Sequence, residues 1–390
     1  MSDGFEGTQR CDFCRLPHAV DPVELEYDGA TYEFCSAACR RAMRESDRVF
    51  TEYHGHRRFA PGVSALDASL PEGLPRNSFV MLTGQAGTRV EALHAELVWR
   101  TLRRDEPAVV VTFQEPPTSI VESFLTMEWN VLPYLESGQL RILDCFTYRV
   151  GDRDRMHDRM SAWNQHLHRV TEPATETVRD PSDMSELANK LDNCLEAESM
   201  VDTGVVVLDS LTELGTLVQP VQAYDFVKDV RADVCKGRFV PVFAGATFSG
   251  ENGGFPHDLD YLVDGIVDLE LNGGIVDDTL LRRVRIRKMS GVLTISEWTA
   301  FEYTSGTGLV PFDPGEEMTA SNEDADGDRP DGDRPAAEDP STGPGPDPAA
   351  GDAASSPASG DGTREADADD GTGSDDTGDV ADDDAGTDRG

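Results

Sequence analysis

Leu82-Thr83-Gly84-Gln85-Ala86-Gly87-Thr88-Arg89-Val90-Glu91-Ala92-Leu93 is the stretch whose reading decides the fold. An apolar segment, Ser78–Leu82, leads into it, and a helical-looking run, Val90–Arg103, follows. A Gly-rich turn between a strand and a helix is where a phosphate-binding loop lies, because backbone N–H groups and the helix N-terminus cradle an anion there. Gly84 and Gly87 begin such a turn. The pattern G-x-x-x-x-G-K-[ST] then breaks: Arg89, Val90 and Glu91 stand where glycine, lysine and a hydroxyl belong.

The segments around this loop repeat one arrangement. Ala108–Phe113, AVVVTF, is apolar on both faces, as in a buried parallel strand, and ends in Gln114-Glu115-Pro116-Pro117. A helical stretch follows over Ile120–Trp129, then short apolar runs at Leu140–Leu143, Gly204–Leu208 and Phe239–Ala244. Gly265–Leu271 and Leu281–Arg287 read as later paired strands. Strands alternating with helices predict an α/β fold whose ligands bind at the carboxyl ends of the strands. Asp209 lies at such an end, where an aspartate of a nucleoside triphosphatase holds Mg²⁺ directly or through water.

Taken in order, these segments resemble the KaiC-like branch of the RecA-type ATPases. The resemblance is carried by Pro61-Gly62-Val63-Ser64-Ala65-Leu66-Asp67, the loop at Gly84, Thr112-Phe113-Gln114-Glu115-Pro116 and Ser137-Gly138-Gln139-Leu140. It continues through Val207-Leu208-Asp209-Ser210-Leu211, Val263-Asp264-Gly265-Ile266-Val267 and Arg287-Lys288-Met289-Ser290-Gly291. It implies a RecA-like, P-loop NTPase-type, mainly parallel sheet flanked by helices over residues 59–312. It also implies a nucleotide site shared between the subunits of a ring.

The chain departs from the family pattern at three elements. The family loop is close to G-x-x-G-T-G-K-T, and the lysine that reaches the β- and γ-phosphates is Val90 here. A shift of register cannot supply one, because no lysine precedes Lys190. Where the family carries paired glutamates after the second strand, this chain has Gln114 and Glu115, and glutamine is a poor base. In the late K-M-R segment, whose cations reach a neighbouring subunit's nucleotide, Lys288 is kept and Ser290 replaces arginine. The residues left to line a nucleotide site are Gly84, Gly87, Thr88, Arg89, Glu115 and Asp209.

Cys11, Cys14, Cys35 and Cys39 form C-x2-C-x20-C-x3-C, a spacing that suits one tetrahedral thiolate site. Tyr27–Phe34 reads as a hairpin turning at Asp28-Gly29, and Ser36 can cap a helix over Ala37–Glu45. A knuckle, a hairpin and a helix around one metal predict a treble-clef-like module over residues 1–58. Phe34-Cys35-Ser36-x-x-Cys39 resembles the second half of the TRASH family of small metal-binding modules. Zinc is the occupant that thiolate geometry favours.

Residues 313–390 hold no aromatic, leucine or isoleucine, and nothing in them can offset the entropy of folding; they are expected to form an acidic, disordered tail. His157, His166 and His168 lie in Gly151–Asp183, which has no counterpart in the family and reads as a surface insertion. Cys145, Cys194 and Cys235 are isolated and read as buried small side chains.

The net charge of the 390 residues is −40. The segment after Phe312 has 25 acidic and 4 basic residues, which leaves 49 acidic against 30 basic before it. Only four lysines occur: Lys190, Lys228, Lys236 and Lys288. Asp-rich, Lys-poor composition is expected of a protein from a salt-accumulating halophile, where ionic strength screens self-repulsion. Such a surface argues against broad nucleic-acid or anionic-membrane binding. The chain shows neither a signal-peptide pattern nor an apolar run of about 20 residues, so a soluble cytoplasmic protein is expected.

These readings predict a non-catalytic regulatory or scaffolding protein, a pseudo-ATPase whose zinc module engages a protein partner or whose chains self-associate. Two alternatives remain. One is a slow Mg-ATP enzyme in which Arg89 replaces the lysine and Asp209 holds Mg²⁺. The other is a regulator whose metal occupancy controls the main domain.

Overall fold

The computed structural model describes residues 10–14, 16, 18, 21–27, 29–45, 57–248, 255–276 and 279–315. Nearly all of the expected tail lies outside them.

The first part is small. Strands β1 (Val23–Tyr27) and β2 (Ala30–Phe34) form an antiparallel hairpin in which Tyr27 pairs with Ala30, so the turn has two residues. Gly29 takes φ +77°, which glycine adopts without steric cost. Helix α1 (Ala37–Glu45) starts where expected, with the Cys39 N–H donating to Ser36 Oγ at 3.2 Å. Phe34 and Met43 are buried among the cysteines.

The second part begins with β3 (Arg58–Phe59), α2 (Ser64–Asp67) and β4 (Leu74–Pro75), and then enters the central sheet at β5 (Phe79–Gln85). There follow α3 (Val90–Leu102), β6 (Ala108–Thr112), α4 (Pro117–Thr126), α5 (Leu132–Ser137) and β7 (Leu140–Asp144). Next come α6 (Arg153–Trp163), α7 (Gln165–Thr171), β8 (Thr175–Thr177), α8 (Met184–Ala197), β9 (Val205–Asp209), α9 (Leu211–Leu217) and α10 (Pro220–Val230). The last strands are β10 (Val242–Phe248), β11 (Gly265–Val276), β12 (Thr279–Met289), β13 (Thr299–Thr304) and β14 (Gly308–Phe312).

These strands build a ten-stranded sheet in the order β14-β13-β12-β11-β5-β10-β9-β6-β7-β8. From β11 to β8 neighbouring strands are parallel, and β12 to β14 complete the sheet antiparallel. This is the expected RecA-like arrangement. Both faces of the parallel part are covered. Val80 and Leu82 of β5 pack into one core with Leu93 and Leu97 of α3, while Phe79 and Met81 pack into the other with Leu187 and Leu191 of α8. Alternate residues of one strand point to opposite faces, which is why the sequence reads as unbroken apolar runs.

Three local expectations shift. Strand β10 begins at Val242, not Phe239, because Phe239 sits at φ +56° and Pro241 has no N–H for the ladder. It runs on through Thr247, which stands opposite Gly84 of β5. Helix α4 begins earlier than expected, with Pro117 at its first turn, and stops before Glu128, whose φ is +61°. Trp129, expected inside that helix, lies beyond it and is buried, its ring stacked on Trp99 with centroids 6.0 Å apart.

The unmatched segment 151–183 forms α6, α7 and the edge strand β8. Helix α6 buries none of its side chains. His157 and His168 come within 6.1 Å, ring centre to ring centre. The metal-ligating set among the described residues is nevertheless the four cysteines and does not include these histidines. Cys145, Cys194 and Cys235 are buried, as expected, and burial pushes the Cys194 thiol up to about 11. Among the described residues no helix is long and apolar enough to cross a membrane.

Candidate functional site

The carboxyl ends of β5, β6, β9 and β10 lie side by side. Thr112 at the end of β6 is in register with Asp209 at the end of β9, and Thr247 of β10 with Gly84 of β5. The sheet therefore gathers the predicted residues at one edge although they lie far apart in sequence.

The loop after β5 closes on itself. Both the Thr88 N–H and the Thr88 hydroxyl donate to the Gln85 carbonyl, at 3.2 and 2.7 Å. Thr88 is wholly buried. Gly87 takes φ +90°, and its carbonyl accepts from Arg282 Nε at 3.1 Å. A Cβ on Gly84 would stand 2.4 Å from Thr88 Oγ1 and 2.6 Å from Val90 Cγ2. The chain's own side chains thus occupy the hollow beside Gly84. Arg89 takes φ +70°, a left-handed conformation that suits glycine, and has no side-chain cap to begin α3.

Beside this turn is a cavity of about 740 Å³. Arg89, Glu115 and Asp209 line it; Gly84, Gly87 and Thr88 do not. Its polar wall also carries Glu91, His94 and Ser210, and its apolar wall includes Val98, Val110, Phe124, Met127 and Val207. Glu91 and Glu115 are exposed, while His94 is buried. Glu115 is set by Thr112, whose hydroxyl donates to the Glu115 carbonyl at 2.8 Å. The Gln114 amide donates to Ser210 Oγ at 2.8 Å, and the same Oγ accepts the Glu213 N–H at the start of α9. Gln114 is therefore tied to the end of β9.

Asp209 and His94 face each other, Oδ1 to Nδ1, at 3.8 Å. That is beyond hydrogen-bond reach. Burial holds the His94 imidazole neutral, down to about 4. Burial also pushes the Asp209 carboxyl up to about 6, and the nearby carboxylates of Glu115 and Glu91 add to the rise. The two shifts give opposite pH slopes. Between pH 4 and 6.5 the unfolded chain protonates at His94 and the folded chain does not, so this group makes stability rise with pH. Between pH 3.8 and 6 the folded chain keeps the Asp209 proton that the unfolded chain releases, so this group makes stability fall with pH. Each shift corresponds to about 3 kcal/mol at most. The two slopes largely cancel in the native protein. Asp209→Asn is expected to expose the rising slope and His94→Gln the falling one, read from urea midpoints at pH 4, 5, 6 and 7. Parallel profiles for the two variants would show that the pair does not titrate in this way.

The late cation does not reach outward. Lys288 Nζ donates to the carbonyls of Asp260 and Val263, both at 2.7 Å within its own chain, and the Ser290 N–H donates to the Asp264 carbonyl.

These residues offer a triphosphate few partners. The hydroxyl and N–H of Thr88 are bonded within the turn, Val90 cannot reach phosphate, and four carboxylate residues, Glu91, Glu115, Glu122 and Asp209, line the cavity against the one cation, Arg89, that lines it among the described residues. His94 and Tyr303 escaped the sequence reading, because the contacts that bring them here join distant segments, while Ser210 enters beside the predicted Asp209.

The second cluster is the cysteine module. The Sγ atoms of Cys11, Cys14, Cys35 and Cys39 all lie within 4.8 Å of one another, with Cys14–Cys35 at 3.5 Å and Cys35–Cys39 at 3.6 Å. Tetrahedral thiolates about 2.3 Å from one ion stand ~3.8 Å apart, so the set fits a metal. Against the opposing effect of burial, backbone N–H groups of Cys14, Cys35 and Phe13 hold the Cys11 thiol down to about 7. Burial pushes Cys14 up to about 12.

Comparison with known proteins follows these features. A UPF0273 protein of Thermotoga maritima is 25% identical over 67% of this chain and 98% of its own length. A UPF0273 protein of Methanopyrus kandleri is 27% identical over 63% of this chain and 89% of its own. Among solved structures, a KaiC-like protein of Pyrococcus horikoshii superposes with a TM-score of 0.51 at 17% identity, over 66% of this chain and 99% of that one, which shows likeness of fold. The model of the ATPase family described as KaiC matches residues 60–314, well over half of the sequence, and the chain belongs to that family.

Proposed function

We propose that this chain is a family member without phosphate chemistry, a regulatory or scaffolding protein built on a KaiC-like domain. The observation that carries this reading is the closed loop: Thr88 and Val90 fill the space beside Gly84, and the loop's hydroxyl and N–H bond to its own carbonyl. The carboxylates of Glu91, Glu115 and Asp209 add repulsion toward a polyanion. Arg89 does not restore the lysine's role, since it stands at the glycine position ahead of Val90.

In this reading Cys11, Cys14, Cys35 and Cys39 hold a zinc ion that staples a TRASH-like module over residues 1–58, and the module engages a protein partner or a second copy of the chain. Its buried core is only Phe34 and Met43 among the cysteines, and a unit that small usually needs a staple. The protein works in the cytoplasm of a salt-accumulating cell, in keeping with its acidic, Lys-poor composition. Turnover is the test. In molar KCl with Mg²⁺, ATP hydrolysis by the full chain is expected to equal that of Glu115→Ala; hydrolysis well above that variant would overturn the reading.

A further inference from the structure

The cavity beside the closed loop is built for a different ligand. It keeps a volume typical of small-molecule sites, and Val98, Val110, Phe124, Met127 and Val207 give it an apolar wall. Its charged groups are mostly acidic: Glu91, Glu115, Glu122 and Asp209 present carboxylates against the single cation Arg89, and among the described residues no lysine lines it. Both ring nitrogens of His94 and the hydroxyl of Tyr303 are buried in its wall without a hydrogen-bond partner. Buried polar groups are normally satisfied, so these orphaned atoms mark a place where a ligand completes the bonding. His94 is 5% exposed and aims at Asp209 across 3.8 Å, a gap too long for a bond between them. It is also fixed in place: a Cβ on Gly245 would stand 2.7 Å from His94 Cε1, so only glycine there leaves room for the ring.

A bare metal ion does not suit this arrangement. Among the described residues, the set whose ligand atoms gather within reach of one ion is the four cysteines. We propose that the cavity binds a small organic amine, its ammonium held by Glu115 and Asp209 and by an imidazole nitrogen of His94, its apolar body against Phe124 and Met127. An ammonium offers three donors, enough to bridge two carboxylates and one imidazole acceptor. This inference rests on the reading that nucleotide does not occupy the site.

Calorimetry on the full chain tests it, with 2-phenylethylamine as probe, the neutral isostere 2-phenylethanol as control and ATP with Mg²⁺ as a third arm. The amine is expected to bind at least about tenfold more tightly than the alcohol, and Asp209→Asn or Glu115→Gln to weaken it by roughly 10- to 100-fold, the range for losing a charge-assisted hydrogen bond. Both variants keep the shape of the native side chain, and an unchanged near-ultraviolet circular dichroism spectrum confirms the fold. No heat from the amine at millimolar concentration, equal affinity for the alcohol, or unaltered affinity in both folded variants would each overturn the inference. Silence from both amine and ATP would remove the amine site alone, whereas ATP binding would overturn the reading of the loop on which it rests.

Discussion

Truncating Glu96 to alanine is expected to destabilise the main domain by about 3–5 kcal/mol, the range for removing one partner of a buried charge pair. Glu96 lies on α3 with its side chain wholly buried. Its carboxylate accepts from Arg100 at 2.9 Å, one turn along the helix, and from the Leu309 N–H at 2.7 Å at the start of β14. One acidic side chain thus ties the helix after the loop to the far antiparallel edge of the sheet. Burial pushes the carboxyl up from its ordinary range, opposed by the Leu309 N–H and by Arg100. Gly308 makes room for it: φ is +102° there, and a Cβ would stand 2.3 Å from Glu96 Cδ. Alanine at position 96 leaves a buried N–H without an acceptor and a half-buried guanidinium without its anion. Urea midpoints measure the loss, and a cost under about 1 kcal/mol would show that the carboxylate behaves as an exposed one.

Metal removal has the second large effect. A strong chelator is expected to abolish the structure of the cysteine module and leave the KaiC-like domain folded. Apparent binding energies of structural zinc reach about 10–16 kcal/mol, more than a module of this size gains from its own core. Its core consists of Phe34, Met43 and a few half-buried side chains around the cysteines. Hydrogen exchange reports both parts at once. Amides of β1 and β2 should lose protection, and those of β5, β6 and β9 should keep theirs. Cys35→Ser should do the same without chelator, since Cys35 is near both Cys14 and Cys39. If stripping the metal changes the oligomeric state or lowers the melting temperature of the main domain, the module regulates that domain and does more than hold itself together.

Local patterns were legible in the sequence and long-range contacts were not. The strands β5, β6 and β9 announce themselves as unbroken apolar runs because both faces of each are covered. The hairpin, the Ser36 cap and the four cysteines are legible because each depends on residues a few positions apart. Strand β10 starts three residues later than its apolar run because Phe239 and Pro241 do not join the ladder, and it runs on past Ala244 because pairing with β5, about 160 residues away, holds its far end. Glu91 to Arg100 reads as an ordinary helix, and nothing local shows that His94 meets Asp209 or that Glu96 meets Leu309. The loss of the loop lysine was plain from sequence. That Thr88 and Val90 crowd the space beside Gly84, and that Lys288 turns back on its own chain, needed coordinates.

In the proposed function, the fold of a nucleotide-binding domain persists here without its phosphate site. Titration of the full-length protein with ATP and Mg²⁺ by calorimetry, with zinc content measured on the same sample, tests that claim most directly. No binding heat at millimolar nucleotide is the predicted result. A saturable isotherm that disappears in Arg89→Ala would contradict it, and would show that arginine has taken over the work of the missing lysine.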